Sequence, residues 1–371
     1  MRQEIRGAII AVVVIAAGVG GLYGVFSTLD QVPSDPTLTA APEGPRAPPV
    51  DKSGFKQAPG ITGIAEYINT DEAGLAEAME GKVVLYDIWT YSCINCIRTL
   101  PYITAWDEKY ADQGLLIVGI HSPEFEFEKD PDNVRTAVAK YGIEYPVVMD
   151  NDMDTWKAFE NRYWPRKYVA DHEGFIRYDH IGEGAYDETE RVIQNLLAER
   201  ASALGMQEAA AEPLVDIAEF EHTRFRTPEL YLGYHLAFGR SQIGNPEGFQ
   251  REQVVEYAEP ASTDLHKFYM VGTWRSGAEG MELVSETGRI LLPYVAKEVN
   301  IVAANAADLV LRVDGDVIPP GIAGPQVGPG GALRVSESDL YNLVSEEAAT
   351  ERFLEIEVSG PGFQIFTFTF G

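Results

Sequence analysis

Cys93 and Cys96 are the chain's two cysteines, and they lie one helical turn apart in Cys93-Ile94-Asn95-Cys96. A sulfur in the first turn of a helix meets exposed backbone amides and the positive end of the helix dipole, which favour the reactive thiolate. A second thiol three residues on can attack the mixed disulfide the first one forms and release its partner. One residue type at one spacing thus supplies both nucleophile and resolving thiol, the chemistry of thiol–disulfide exchange. Other uses of the pair fail on residue types. A c-type haem site needs His directly after the second Cys, and position 97 is Ile. A metal site needs two further ligands, and the six His offer no matching pair nearby. A structural disulfide across so short a loop would add little stability. Neither metal nor bound cofactor is therefore expected.

The segments around the pair must hold it at the edge of a packed sheet. Residues 82–90 (KVVLYDIWT) form a short apolar run of β-formers, long enough for one buried strand. Residues 96–110 have helical spacing, and 115–120 (LLIVGI) predict a second buried strand. Helices are expected at 132–141, capped by Asp132, at 152–161 and at 188–200. Residues 167–170 and 175–180 read as a hairpin turning through Asp171-His172-Glu173-Gly174. Strands interleaved with helices over residues 61–200 imply an α/β layer fold.

With these elements in place, Asp87-Ile88-Trp89-Thr90-Tyr91-Ser92-Cys93-Ile94-Asn95-Cys96 resembles the active-site segment of the thioredoxin superfamily. Asp87 stands six residues before the first Cys, Trp89 four before it, and Pro101 five after the second. Trp164-Pro165 falls where that superfamily carries a cis-proline facing the disulfide. The stretch between Ser122 and Asp152, expected to be a strand–helix–strand addition, resembles the TlpA-like branch. WTYSCINC, GIHSPEFEFE, NRYWP and Gly182-Glu183-Gly184 are similar to the extracytoplasmic part of DipZ-type proteins, over about residues 61–371. The resemblance implies that Cys93 attacks, that Cys96 resolves, and that the pair cycles through a Cys93–Cys96 disulfide. It implies a buried Asp87 that takes the proton from Cys96. It also implies a Pro165 that presents backbone to an incoming chain and keeps metals away. Trp89 is expected beside the disulfide, or simply in the core. Glu124, after the second strand, either tunes the thiols or is a solvated loop acid beside Glu126 and Glu128.

Outside this domain the chain changes character. Residues 1–6 carry Arg2 and Arg6, and residues 7–26 are twenty apolar positions without a charge. That length matches a bilayer's hydrocarbon core, and the arginines favour a cytoplasmic N-terminus, so a single anchor with an extracytoplasmic bulk is expected. A cleaved signal peptide is the competing reading. Residues 27–60, rich in Pro, read as an extended tether. An Ala- and Glu-rich connector, expected to be helical, spans 201–224. From 225 to 371 the period drops to two: Leu309, Leu311 and Val313 alternate, Asp314-Gly315 marks a turn, and Phe366, Phe368 and Phe370 share one face. This predicts a β-sandwich, and DipZ-type proteins carry there a jelly roll similar to carbohydrate-binding modules. Trp274, Tyr269, Tyr257 and Tyr294 are candidates for stacking on a glycan, with core packing or a protein-docking surface as alternatives.

With 29 Lys and Arg against 57 Asp and Glu, the net charge of −28 argues against nucleic-acid partners. The partners implied are thiols and disulfides of envelope proteins. DipZ-type proteins also carry a polytopic electron-carrying portion that this sequence lacks, which implies a separate membrane electron donor. The TlpA-like resemblance implies a reductase, of apocytochrome or other envelope proteins. A thiol peroxidase lacks its usual upstream proline in Tyr91-Ser92-Cys93. An envelope-binding protein with a vestigial redox site is the alternative from another class.

Overall fold

Seven consecutive buried residues, Val83–Trp89, form a strand covered on both faces, and the first domain is assembled around it. The computed structural model describes residues 50–371 apart from 208–212, 224–225, 238 and 241. The apolar run at 7–26 and most of the tether lie outside the described residues. Among the described residues no helix is long and apolar enough to cross a membrane.

In chain order the domain runs β1 (Glu66–Ile68), α1 (Glu72–Met79), β2 (Val83–Trp89), α2 (Ile94–Tyr110), β3 (Leu115–His121), α3 (Pro131–Lys140), β4 (Val147–Met149), α4 (Asp154–Ala158), β5 (Arg166–Ala170), β6 (Ile176–Ile181) and α5 (Tyr186–Leu204). The sheet order is β1-β4-β3-β2-β5-β6, with β2, β3 and β4 parallel and the outer strands antiparallel. Side chains alternate across β2. Val83, Leu85 and Trp89 pack with Ile103, Trp106, Ile193 and Leu196 of α2 and α5. Val84, Tyr86 and Ile88 pack with Leu75 of α1 and with Phe159. Asp87 has the parity of Leu85 and Trp89, so it points beneath α2.

Several expected elements change. The tether is docked before residue 60: Ala58 N donates to Gly174 O at 2.8 Å, and Lys52 pairs with Asp171 at 2.9 Å. Helix α3 begins at Pro131 with Asp130, not Asp132, as its cap, because Pro needs no amide partner at the first helical position. The helix expected at 152–161 shrinks to α4. The addition between 122 and 152 contains one strand, β4. Its first part is a 3₁₀ turn, Glu126–Lys129, closed by the Glu128 carboxylate on the Glu124 and Phe125 amides. The connector is helical only to Leu204, where α5 ends, and its described residues beyond that point are not helical. Gly205 ends α5 in the left-handed conformation, and Val215 N is drawn instead onto the Glu190 carboxylate at 2.8 Å.

The second domain is all β: β7 (Leu230–Tyr231), β8 (Val254–Tyr257), β9 (Tyr269–Ser276), β10 (Met281–Leu283), β11 (Thr287–Ala304), β12 (Ala307–Val313), β13 (Asp316–Val317), β14 (Ala332–Val335), β15 (Asp339–Ser359) and β16 (Gln364–Phe370). The long strands β11 and β15 pair antiparallel from Thr287↔Ser359 to Ala303↔Asp339. The phenylalanines of β16 do not all share a face. Val302 pairs with Thr367 and Ala303 with Ile365, so the ladder skips Phe366. This bulge leaves Ile365, Phe368 and Phe370 in the domain's own core and turns Phe366 toward the first domain. There it meets Phe125 and Phe127 at ring-centroid distances of 5.1 and 4.9 Å, in a cluster with Ile94 and Ile97 of α2. Arg98–Glu298 at 2.6 Å and Lys140–Asp339 at 2.5 Å flank this seam. The β domain thus covers the flank of the helix that carries the cysteines.

Candidate active site

The chain leaves β2 at Trp89, turns through Thr90–Ser92 and enters α2 with Cys93 as the N-cap. Cys93 Sγ accepts the Cys96 amide at 3.4 Å, and Cys93 O accepts Ile97 N at 2.9 Å. Cys93 is half-buried and Cys96 is buried, and their sulfurs are not bonded to each other in this structure. Burial, reinforced by the hydrogen bond with Cys93, pushes the Cys96 thiol well above its ordinary range. The two thiols are therefore inequivalent: one reaches solvent, and the other resists ionisation until a base relieves it.

Beneath the pair lie two buried charges. Asp87 on β2 and Lys167 on β5 are direct cross-strand partners, so their side chains share the face under α2. Asp87 Oδ1 is buried without a hydrogen-bond partner. Burial raises the Asp87 carboxyl to about 7, and the Lys167 cation opposes that rise. Lys167, fully buried, donates to Gly182 O at 3.1 Å, and desolvation brings it down to about 8 against the pull of Asp87. Both groups therefore titrate near neutrality. Sequence reasoning identified Asp87 and missed Lys167. Its signal was a Lys with the inward parity of Val169, next to Arg166 in a short strand, which acquires meaning only once the β2–β5 register is known.

The Trp164–Pro165 peptide bond is cis, and Pro165 immediately precedes β5. The Trp164 indole donates to Ser122 O at 2.9 Å, tying this loop to the end of β3. Trp89 is wholly buried, edge-on to His121 at 5.3 Å. His121 is also buried, its Nε2 shares a hydrogen bond with Thr90 Oγ1 at 3.3 Å, and burial lowers it to about 3, so it is neutral.

Glu124 is half-buried rather than a solvated loop acid. Burial, with the Glu229 and Glu128 charges, raises its carboxyl to about 8, and Tyr231 of the β domain donates to it at 2.8 Å. Glu128, which sequence reasoning placed in the solvated loop, is fully buried and accepts Ser92 Oγ at 2.6 Å, Glu124 N at 2.6 Å and Phe125 N at 2.9 Å. It pins the residue before Cys93. Phe125 has no side-chain acceptor, so no capping box marks this turn in the sequence, and only the Glu128 carboxylate closes it. The glycan candidates Trp274, Tyr269, Tyr257 and Tyr294 are all buried in the β domain, so none offers a ring face to a sugar. Among the described residues no three His, Cys, Asp or Glu side chains are grouped to hold a metal ion.

A Cys-x-x-Cys pair at the mouth of the helix that follows a central strand, over a buried acid, with a cis-proline at the start of the neighbouring strand, defines a thioredoxin-like domain. Residues 58–197 match the redoxin family, and residues 227–371 match the family described as a thioredoxin like C-terminal domain. Protein DipZ of Mycobacterium bovis is 32% identical over 316 residues, covering 85% of this chain and 43% of that protein. The thiol-disulfide oxidoreductase YkuV of Bacillus subtilis is 31% identical over 141 residues, covering 38% of this chain and 94% of that protein. NHL repeat-containing protein 2 of Bos taurus is 44% identical over 121 residues, covering 32% of this chain and 17% of that protein. The chain belongs to the thioredoxin-like thiol–disulfide oxidoreductases, and it spans less than half the length of the DipZ proteins it matches.

Proposed function

We propose that this chain is a membrane-anchored, extracytoplasmic thiol–disulfide oxidoreductase that reduces disulfides of envelope proteins. The carrying observation is the half-buried Cys93 at the helix mouth, one turn before a buried Cys96 and above Asp87 and Lys167. Cys93 thiolate attacks one sulfur of a client disulfide, and the client's second sulfur leaves as thiolate and takes a proton. Cys96 then loses its proton to Asp87, and its thiolate attacks Cys93 Sγ. The client's first sulfur departs, the Cys93–Cys96 disulfide forms, and two electrons have passed to the client. Lys167 holds Asp87 partly ionised near neutrality so that it can accept that proton. Pro165 presents backbone to the client strand, Trp89 supports the pair from below, and Glu124 tunes the local field. A separate membrane electron donor returns the pair to the dithiol. Reduction of client disulfides during cytochrome c maturation is one setting in which this chemistry would serve. The apolar run at 7–26 supports the anchor and the Pro-rich stretch the tether. For the β domain we favour a jelly-roll-like sandwich, because different stretches of β11 pair with β9 and with β16.

A Cys96→Ser variant tests the reading. With resolution blocked, it should accumulate stable mixed disulfides through Cys93 with envelope proteins, and a Cys93→Ser, Cys96→Ser double variant should accumulate none. Equilibration of the wild-type dithiol with glutathione tests direction, a potential well above about −200 mV being incompatible with a reductase.

A further inference from the structure

The residues under α2 form a row across the sheet. Lys167 of β5 is in register with Asp87 of β2, Asp87 with Gly119 of β3, and Gly119 with Val147 of β4. Gly119 is the member of this row without a side chain. A Cβ there would lie 3.0 Å from Trp89 Nε1 and 3.2 Å from Tyr145 Cε2, so the indole and the phenol ring converge on the residue alongside the acid. Tyr145 lies in the loop between α3 and β4, and its backbone carbonyl accepts the Asn69 side-chain amide at 3.1 Å, which fixes the loop.

Asp87 Oδ1, Trp89 Nε1 and Tyr145 Oη have no hydrogen-bond partner among the described residues, and all three side chains are buried, Tyr145 at 2% exposure. Unpaired buried polar atoms are costly, and their grouping beside a titrating carboxyl calls for an explanation in its chemistry. Tyr145 also lines a cleft of about 500 Å³ together with Asp107, Glu108 and Glu144, of which Glu108 and Glu144 are exposed. Its side chain therefore reaches from beside Gly119 to solvent. Asp107 is eleven residues after Cys96, so this opening lies roughly 16 Å along α2 from the cysteines. Burial, with the charges of Asp87 and Asp107, holds the Tyr145 phenol well above its ordinary range, so it is neutral and can accept a proton at Oη while giving up its own. Asp107 is half-buried, and burial with the Glu144 charge raises its carboxyl, which suits it to hold a proton in transit.

We propose that Tyr145 is a proton-relay residue, through which the proton that Asp87 takes from Cys96 leaves to Asp107 and the cleft. A client joined to Cys93 covers the mouth of α2, and this second exit stays open while it does. The protonated Asp87 carboxyl gives its proton to Tyr145 Oη as the phenol passes its own to the Asp107 carboxylate. Asp107 then releases that proton to water in the cleft, and Asp87 is again a carboxylate; no electrons move. Lys167 and the Cys96 thiol also face Asp87, and Glu108 and Glu144 share the cleft with Asp107. The inference rests on the thiol-exchange reading above, in which Asp87 receives the Cys96 proton, and adds the path by which that proton departs.

The test uses the full reduced chain with its aspartates labelled with carbon-13 at the carboxyl, the Asp87 signal being the one missing from Asp87→Asn. Titration of that signal gives the midpoint, and its relaxation dispersion near the midpoint gives the rate at which Asp87 exchanges its proton with solvent. Tyr145→Phe and Asp107→Asn should each slow this exchange by about tenfold or more while the midpoint stays near 7. Asp112→Asn removes an exposed carboxylate outside the cleft, on the turn after α2, and should leave the rate unchanged. A wild-type rate in either Tyr145→Phe or Asp107→Asn would overturn the relay. So would a midpoint that moves together with the rate in Tyr145→Phe, because that pattern belongs to a residue that only shapes the site. Reaction of the wild type with dithiobis(nitrobenzoate) examines the exchange reading by itself: no reaction sinks that reading whatever the proton rates, whereas normal reaction with unslowed exchange in Tyr145→Phe sinks the relay alone.

Discussion

At Asp87 two opposing influences meet: burial lifts the carboxyl to about 7, and the Lys167 cation holds it from rising further. Removing the acid and removing the cation should therefore have different signatures. Asp87→Asn takes away the acceptor for the Cys96 proton, so resolution of a Cys93 mixed disulfide should slow by about 10- to 100-fold at pH 7 and lose its inflection near that pH. Lys167→Met leaves a lone buried carboxyl, which should titrate higher and shift the inflection to more alkaline pH. Single-turnover rates between pH 5 and 9 read both, and a preserved inflection near 7 in Asp87→Asn would remove Asp87 from the proton path. Asp87 could be found from the sequence because its offset from Cys93 is fixed along one strand and one turn. Lys167 lies 80 residues farther on, and its approach depends on the antiparallel register of β5 against β2. No local pattern encodes that register. Glu124 and Glu128 were opaque for a related reason. Alternating acids in SPEFEFE look solvated, but a 3₁₀ turn closed by Glu128 turns only Glu126 outward.

The elements were most legible where one face is buried throughout. Strands β2 and β3 and helix α2 follow from apolar runs and spacing, because burial on a sheet leaves few alternatives to such patterns. Strand β16 shows where periodicity fails. Phe366, Phe368 and Phe370 fit one face of an ideal strand, yet the skipped residue in its ladder with β11 places Phe366 on the seam. The two phenylalanines should consequently differ under mutation. Phe368→Ala excavates the core of the β domain and should cost about 3–5 kcal/mol of that domain's stability. Phe366→Ala should cost less globally and loosen the packing against Phe125 and Phe127. Hydrogen exchange resolves the two outcomes: amides of residues 125–130 should lose protection in Phe366→Ala and keep it in Phe368→Ala. The same protection pattern in both variants would mean that the bulge does not direct Phe366 to the seam. The connector gives the parallel lesson for helices. Its Ala and Glu content favours a helix, but Gly205 stops α5, and the Glu190 carboxylate captures the Val215 amide.

For the whole molecule, the −28 charge has local consequences where acids are turned inward. Asp87 and Glu124 are held protonated to about 7 and about 8, well above the ordinary carboxylate range. In the unfolded chain both would lose their protons near pH 4 to 4.5. Between those ordinary values and the folded ones the unfolded state binds fewer protons, so stability should fall as pH rises from about 5 to 8. Lys167 contributes the opposite sign at higher pH. Its folded value of about 8 lies below its ordinary 10.5, so the decline should ease and partly reverse above pH 8. Glu124 is the part of this profile that belongs to the domain seam, because its partner Tyr231 sits on the β domain and Glu229 crowds the same hydroxyl at 3.0 Å. Glu128 also faces Glu124, and Arg240, stacked over the Tyr231 ring at 4.9 Å, partly offsets the acids. Glu229→Gln removes one neighbouring charge, lowers the Glu124 carboxyl and should stabilise the chain at pH 8 by up to roughly 1 kcal/mol, with no gain at pH 4. Urea unfolding of the wild type and this variant at pH 4, 6 and 8 measures the difference, and a gain equal at all three values would assign the effect to something other than Glu124. The seam between the two domains is thereby expected to be tightest in mildly acidic surroundings and weakest near pH 8, where Glu124 ionises beside Glu128 and Glu229.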